Sequence, residues 1–170
     1  MYIGVDIGSV SADVVVMNEA KEVLEEHYVR TKGQPIETCL KVLSDVLQRT
    51  PLERIKGIAF TGSAGRLAAK ILGAFCVNEI IAQSKATAFL HPEVRTIIEI
   101  GGEDSKLILL HEDANTGSIQ VRDFSMNTVC AAGTGSFLDQ QANRLGLTIE
   151  EFGRLALKST NPPRIAGRCS

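Results

Sequence analysis

The chain has 170 residues, 44 % of them hydrophobic and 22 % charged, which is the balance of a soluble globular protein with a packed core and room for one domain or one and a half small ones. A net charge of −2 leaves no basic footprint and argues against nucleic acid as a partner. No apolar run approaches a membrane span, and the N-terminal MYIGVDIG lacks the charged and apolar regions of a signal peptide, so the expected compartment is the cytoplasm.

Residues 2–8 alternate into a strand (Ile3, Val5, Ile7) that ends at Asp6-Ile7-Gly8-Ser9. Ser11, Ala12 and Asp13 lead into a second apolar strand at 14–17, and the two make a β-hairpin. Its tip holds a carboxylate, a glycine and two hydroxyls. Backbone N–H groups and hydroxyls in such a turn can hold a phosphate, and Asp6 can hold Mg²⁺ directly or through water. The plainer reading is a surface hairpin whose turn Asp6 caps. Residues 22–30 give a third strand. A helix then starts at Gly33-Gln34-Pro35, carries its apolar stripe on Ile36, Cys39, Leu40, Leu43, Val46 and Leu47, and stops at Pro51. Cys39 lies in that stripe and reads as core filler.

A fourth strand at 55–60 ends in Thr61-Gly62-Ser63-Ala64-Gly65, a second small-residue, hydroxyl-bearing turn. It is either a phosphate-facing or partner-facing loop or a plain strand-to-helix turn. The short helix after it is closed by Gly73, and Phe75-Cys76-Val77 forms a short strand with Cys76 expected to be buried. Asn78 caps a helix that ends at His91-Pro92. Three antiparallel strands, helix, strand, helix, short strand, helix is the order of a ribonuclease H-like unit.

The pattern restarts at Val94. A strand at 96–100 ends in Gly101-Gly102-Glu103-Asp104-Ser105, strands at 107–110 and 119–124 follow with Asn115-Thr116-Gly117 between them, and Thr148 with Glu151 forms a capping box for the last helix. The expected division is 1–93 and 94–170. Both units thus begin with a strand that delivers a carboxylate into a glycine turn. Two such turns facing each other could hold the β- and γ-phosphates and Mg²⁺, with Glu103 or Asp104 orienting the attacking water. No G-x-x-x-x-G-K-[ST] loop is present, so this is not a Walker-type site.

Residues 126–146, MNTVCAAGTGSFLDQQANRLG, place Cys130 before a glycine-rich turn and an amphipathic helix. Glycine lets a partner approach the backbone closely, and a helix N-terminus favours thiolate, so Cys130 reads as a ligand or reactive thiol. Cys169 repeats the setting beside Gly167. Neither belongs to a C-x-x-C pair, which leaves a zinc site within one chain poorly supported. Two ligand cysteines are half of a Cys₄ set that a two-fold dimer would complete around an iron–sulfur cluster. Two unrelated surface thiols are the alternative.

Taken together, DIGS, EIGGEDSK, the Cys130 stretch and the closing GRCS resemble the BadF/BadG/BcrA/BcrD ATPase family: the activators of 2-hydroxyacyl-CoA dehydratases and the ATPase subunits of benzoyl-CoA reductase. The resemblance implies an α/β, actin-like ATPase fold shared with sugar kinases and Hsp70, with a ribonuclease H-like first unit and the first half of a second. It further implies that Asp6, Gly8, Ser9 and Ser11 form one phosphate turn and Gly101, Gly102, Glu103, Asp104 and Ser105 the other. Cys130 and Cys169 would then bind one [4Fe–4S] cluster shared by a homodimer. The implied role is an ATP-driven electron donor, reduced by ferredoxin or flavodoxin, that passes one electron to a dehydratase or reductase acting on a CoA thioester. In two places the chain departs from the family pattern. Glu99 and Glu103 stand where DIGGQD is more usual, a variant similar to the activator-like domains of very long fused proteins. The sequence also stops before the adenosine-binding part of the second domain, so these 170 residues are expected to bind ATP weakly or not at all. Other readings are an actin-fold sugar kinase, similar to N-acetylglucosamine kinases, and a non-catalytic interaction domain.

Overall fold

The computed structural model describes residues 1–127 and 134–164. It forms two units, Met1–Val94 with Glu112–Val121, and Arg95–His111 with Arg122–Ser170. In the first unit, strands β1 (Tyr2–Ile7), β2 (Ser11–Met17), β3 (Val23–Arg30), β4 (Gly57–Thr61) and β5 (Phe75–Cys76) form one sheet in the order β3-β2-β1-β4-β5. β2 runs antiparallel to β1 and β3, whereas β4 runs parallel to β1 and to β5.

Period-two alternation explains where the core sits. Ile3, Val5 and Ile7 of β1 and Ala12, Val14 and Val16 of β2 all point to one face and are buried. Helix α1 (Pro35–Arg49) covers that face with Cys39, Val42, Leu43 and Val46, and α2 (Gly65–Leu72) adds Ala68 and Ala69 beside Phe60. The local signals act as expected. Pro35 occupies the first turn of α1, Gly73 closes α2 at φ 63°, and the Asn78 side chain accepts the Ile80 N–H at the start of α3 (Glu79–Leu90). A 3₁₀ turn at Leu52–Arg54 takes up the residues before β4, which therefore starts later than alternation alone suggests.

Cys39 is buried, which pushes its thiol pKa up. Cys76 is exposed, against expectation. It lies in a two-residue strand at the sheet edge, paired only with β4, where an apolar triplet gains no cover on its open side.

A second sheet consists of β6 (Thr96–Ile100), β7 (Ser105–Glu112) and β8 (Ile119–Asn127), with β7 in the centre. The central strand is longer than its apolar run because Lys106 joins Ile108 and Leu110 at the inward positions. Helices α4 (Gly135–Arg144) and α5 (Ile149–Ala156) follow, the latter opened by the Thr148–Glu151 capping box.

Candidate functional site

The first glycine turn closes the β1–β2 hairpin, with the Gly8 N–H donating to the Ser11 carbonyl at 2.9 Å. Thr31, 2 % exposed, pins the tip: its N–H donates to the Val10 carbonyl (2.8 Å) and its hydroxyl to the Ser9 carbonyl (2.8 Å). Strand register then sets Asp13, Asp6 and Thr61 in one row across β2, β1 and β4, on the face opposite the core. The Thr61-Gly62-Ser63-Ala64-Gly65 turn folds back onto the same place. Ala64 N–H (3.0 Å) and the Ser63 hydroxyl (3.4 Å) both donate to the Ile7 carbonyl. Gly62, at φ +84°, leaves the space that the Asp6 carboxylate fills, since a Cβ there would lie 2.1 Å from Asp6 Oδ1.

Two polar atoms of this row, Asp13 Oδ1 and Thr61 Oγ1, are buried with no hydrogen-bond partner among the described residues. A buried polar atom without a partner costs about 1–3 kcal/mol, so these two atoms have room for a water, a ligand or an ion to complete their bonding. Burial raises the Asp13 pKa, and the hydrogen bond from the Ser11 hydroxyl to Oδ2 (3.2 Å) offsets that in part. A carboxyl whose pKa rises on folding holds more protons folded than unfolded. Its favourable contribution is complete below the ordinary aspartate value of 3.8 and is lost as pH climbs through the raised one. Asparagine in place of Asp13 is therefore expected to raise Tm at pH 7, with the gap closing below pH 3.8. Equal melting temperatures at pH 7 would contradict this assignment of strain to the charged carboxylate.

The second turn joins β6 to β7, closed by the Gly101 N–H on the Asp104 carbonyl (2.9 Å). Glu99 and Lys106 are direct cross-strand partners. Lys106 Nζ lies 3.0 Å from Glu99 Oε2 and 3.1 Å from Asp104 Oδ1, and its side chain is 3 % exposed. Taking an ammonium out of water costs several kcal/mol even after relaxation, and two carboxylates at contact distance are what offset it here. Gly101 makes the arrangement possible, because a Cβ at that position would sit 2.7 Å from Asp104 Oδ1 and 3.3 Å from Glu99 Oε1. The start of α4 grips the same glycines. The N–H groups of Gly135 and Ser136 donate to the Gly101 (2.8 Å) and Gly102 (2.9 Å) carbonyls, and the Thr134 hydroxyl donates to Gly102 (2.8 Å). These first helix donors are committed to the glycine turn. Glu103 stands exposed at the turn's tip.

Asp6, Gly8, Ser9 and Ser11 thus lie together in the first unit, and Gly101, Gly102, Glu103, Asp104 and Ser105 together in the second. Cys130 and Cys169 lie outside the described residues. Among the described residues no group of three or more His, Cys, Asp or Glu is placed to hold a metal, and no helix is long and apolar enough to cross a membrane. Sequence reasoning left the Thr61 turn open between a phosphate-facing loop and a plain connection, and it missed Asp13, Thr31, Lys106 and Thr134. Hairpin register alone could have found Asp13, seven residues after Asp6 with the turn midway between them, whereas the others depend on burial and on contacts distant in sequence.

Comparison with known proteins shows the family of the chain. Residues 3–170 match the BadF/BadG/BcrA/BcrD ATPase family. The chain is 32 % identical over 173 residues to the 2-hydroxyisocaproyl-CoA dehydratase activator of Clostridioides difficile, covering 100 % of this chain and 62 % of that protein. It is 29 % identical over 170 residues to the (R)-2-hydroxyglutaryl-CoA dehydratase activating ATPase of Acidaminococcus fermentans, covering 99 % of this chain and 62 % of that one. The solved activator of the 2-hydroxyisocaproyl-CoA dehydratase from Clostridium difficile, with ADPNP bound, matches 99 % of this chain and 60 % of its own at 30 % identity and a TM-score of 0.84. The chain spans less than two thirds of the length of these relatives. Its architecture is the actin-like ATPase fold, and from the first strand through both glycine turns to its last residue the chain belongs to the BadF/BadG/BcrA/BcrD ATPase family.

Proposed function

We propose that this protein is an ATP-dependent activator carrying a [4Fe–4S] cluster, which passes low-potential electrons to a 2-hydroxyacyl-CoA dehydratase or a benzoyl-CoA reductase-type partner. The observation that carries the reading is the family match across residues 3–170, which takes in both glycine turns and both cysteines. In the first unit Asp6, Gly8, Ser9 and Ser11 would bind phosphate. The buried Asp13 Oδ1 and Thr61 Oγ1 beside Asp6 fit a hard, oxygen-ligated group there, and Mg²⁺ would be held by Asp6 with Asp13. When bound, that ion neutralises phosphate charge. In the second unit Gly101, Gly102 and Ser105 would bind phosphate, and Glu103 would orient the attacking water. Asp104, committed to Lys106, would hold the turn's shape.

Cys130 lies in the sequence between the end of β8 and the start of α4, whose first residues bond the second glycine turn. One cluster per homodimer would take Cys130 and Cys169 from each chain, with ferredoxin or flavodoxin as reductant. The bound cluster supplies one electron per transfer, gained from that reductant and accepted by the CoA thioester on the partner enzyme. Anaerobic reconstitution of the full-length protein with iron and sulfide, followed by absorbance and EPR, tests the reading. The wild type is expected to bind one cubane cluster per two chains and Cys130→Ala none. Equal loading of both, or loading of neither, would end the electron-donor account.

A further inference from the structure

We propose that Lys106 is the positioning residue of the second glycine turn, and that its ammonium determines which carboxylate the turn offers to a bound nucleotide. The inference rests on the ATPase reading above and deepens it. Three carboxylates crowd this turn: Glu99 before the glycine pair, Glu103 and Asp104 after it. One buried ammonium takes two of them, at 3.0 Å to Glu99 and 3.1 Å to Asp104. Glu103 is exposed at the tip. Lys106 therefore ties the strand entering the turn to the residue leaving it, across Gly101 and Gly102.

The same residues carry two further restraints. Gly101 N–H bonds the Asp104 carbonyl, and the two glycine carbonyls bond the start of α4. Withdrawing the ammonium sets Glu99 and Asp104 against each other at close range. Both crowd the space that Gly101 leaves open, where a Cβ would already touch each of them. The turn must then open, and with it the grip on α4. A neutral side chain of the same length fills the volume without preventing this, so the effect belongs to the charge.

The test compares Lys106→Met and Lys106→Arg in the full-length protein, reading amide hydrogen exchange and ATP turnover. Methionine is expected to speed exchange at Gly101, Gly135 and Ser136 about tenfold or more. It is also expected to lower kcat for ATP about tenfold to a hundredfold. Arginine keeps the charge and is expected to hold both within about threefold of wild type. A role in packing alone predicts the reverse order, with methionine tolerated better than arginine. Wild-type exchange in the methionine variant, or faster exchange with unchanged kcat, overturns the proposal. Should the methionine variant not fold, loss of protection at the same amides in the arginine variant overturns it. A wild type that turns over no ATP, with exchange responding as expected, would sink the ATPase reading and leave Lys106 as the turn's anchor.

Discussion

Glutamine in place of Glu103 is expected to tighten Mg-ATP binding about fivefold while keeping kcat within about tenfold of wild type, whereas alanine is expected to lower kcat about a hundredfold. A unit charge about 8 Å from another at an effective dielectric of about 20 contributes about 2 kcal/mol. Screening at an exposed carboxylate such as Glu103 reduces that to about 1 kcal/mol, which is the fivefold change. Under the proposed reading, glutamine would remove a charge opposing the phosphates while retaining an oxygen that can orient water. Alanine removes both. Steady-state turnover with Mg-ATP and nucleotide titration separate the two effects. Full activity in the alanine variant would remove Glu103 from the chemistry, and weaker binding in the glutamine variant would show that its charge does not oppose the phosphates.

How far the site could be read beforehand depends on the range of the interactions that build it. Signals completed within one turn of chain were legible. Pro35, Asn78, Gly73 and the Thr148–Glu151 box each act within four residues, and the structure uses all of them as expected. The two glycine turns were legible for the same reason. Lys106 was not, because charge and strand position both argue for exposure, and it is Glu99 across the strand and Asp104 two residues back that favour its inward position. Thr31 and Thr134 are ordinary residues in sequence. They become turn-holding residues only once β3 and α4 bring them 22 and 32 residues back along the chain, to Ser9 and Gly102. Cys76 failed in the opposite direction. Its apolar neighbours suggested burial, but edge position is a property of sheet order.

The Gly62 site gives the largest expected effect on stability, and it can be separated from a plain backbone effect. Gly62 and Gly73 both have positive φ, at +84° and +63°. An alanine forced into that region costs about 1–2 kcal/mol in either place. Around Gly73 a Cβ meets nothing within 4 Å, so Gly73→Ala is expected to cost no more than that. Around Gly62 it would meet Asp6 Oδ1 at 2.1 Å and the Ile7 carbonyl oxygen at 2.7 Å, separations no side chain can keep. Either the Asp6 carboxylate leaves its place, or the Ile7 carbonyl gives up the Ala64 N–H it accepts at 3.0 Å. Each route adds about 1–3 kcal/mol, for a total of about 3 kcal/mol by urea unfolding. The first route also moves the acid assigned to Mg²⁺. Gly62→Ala should therefore lose nucleotide binding in the full-length protein, and Gly73→Ala should retain it. If the two variants unfold at the same urea concentration and bind nucleotide alike, the Thr61–Gly65 turn is an ordinary connection and Asp6 is not held by it.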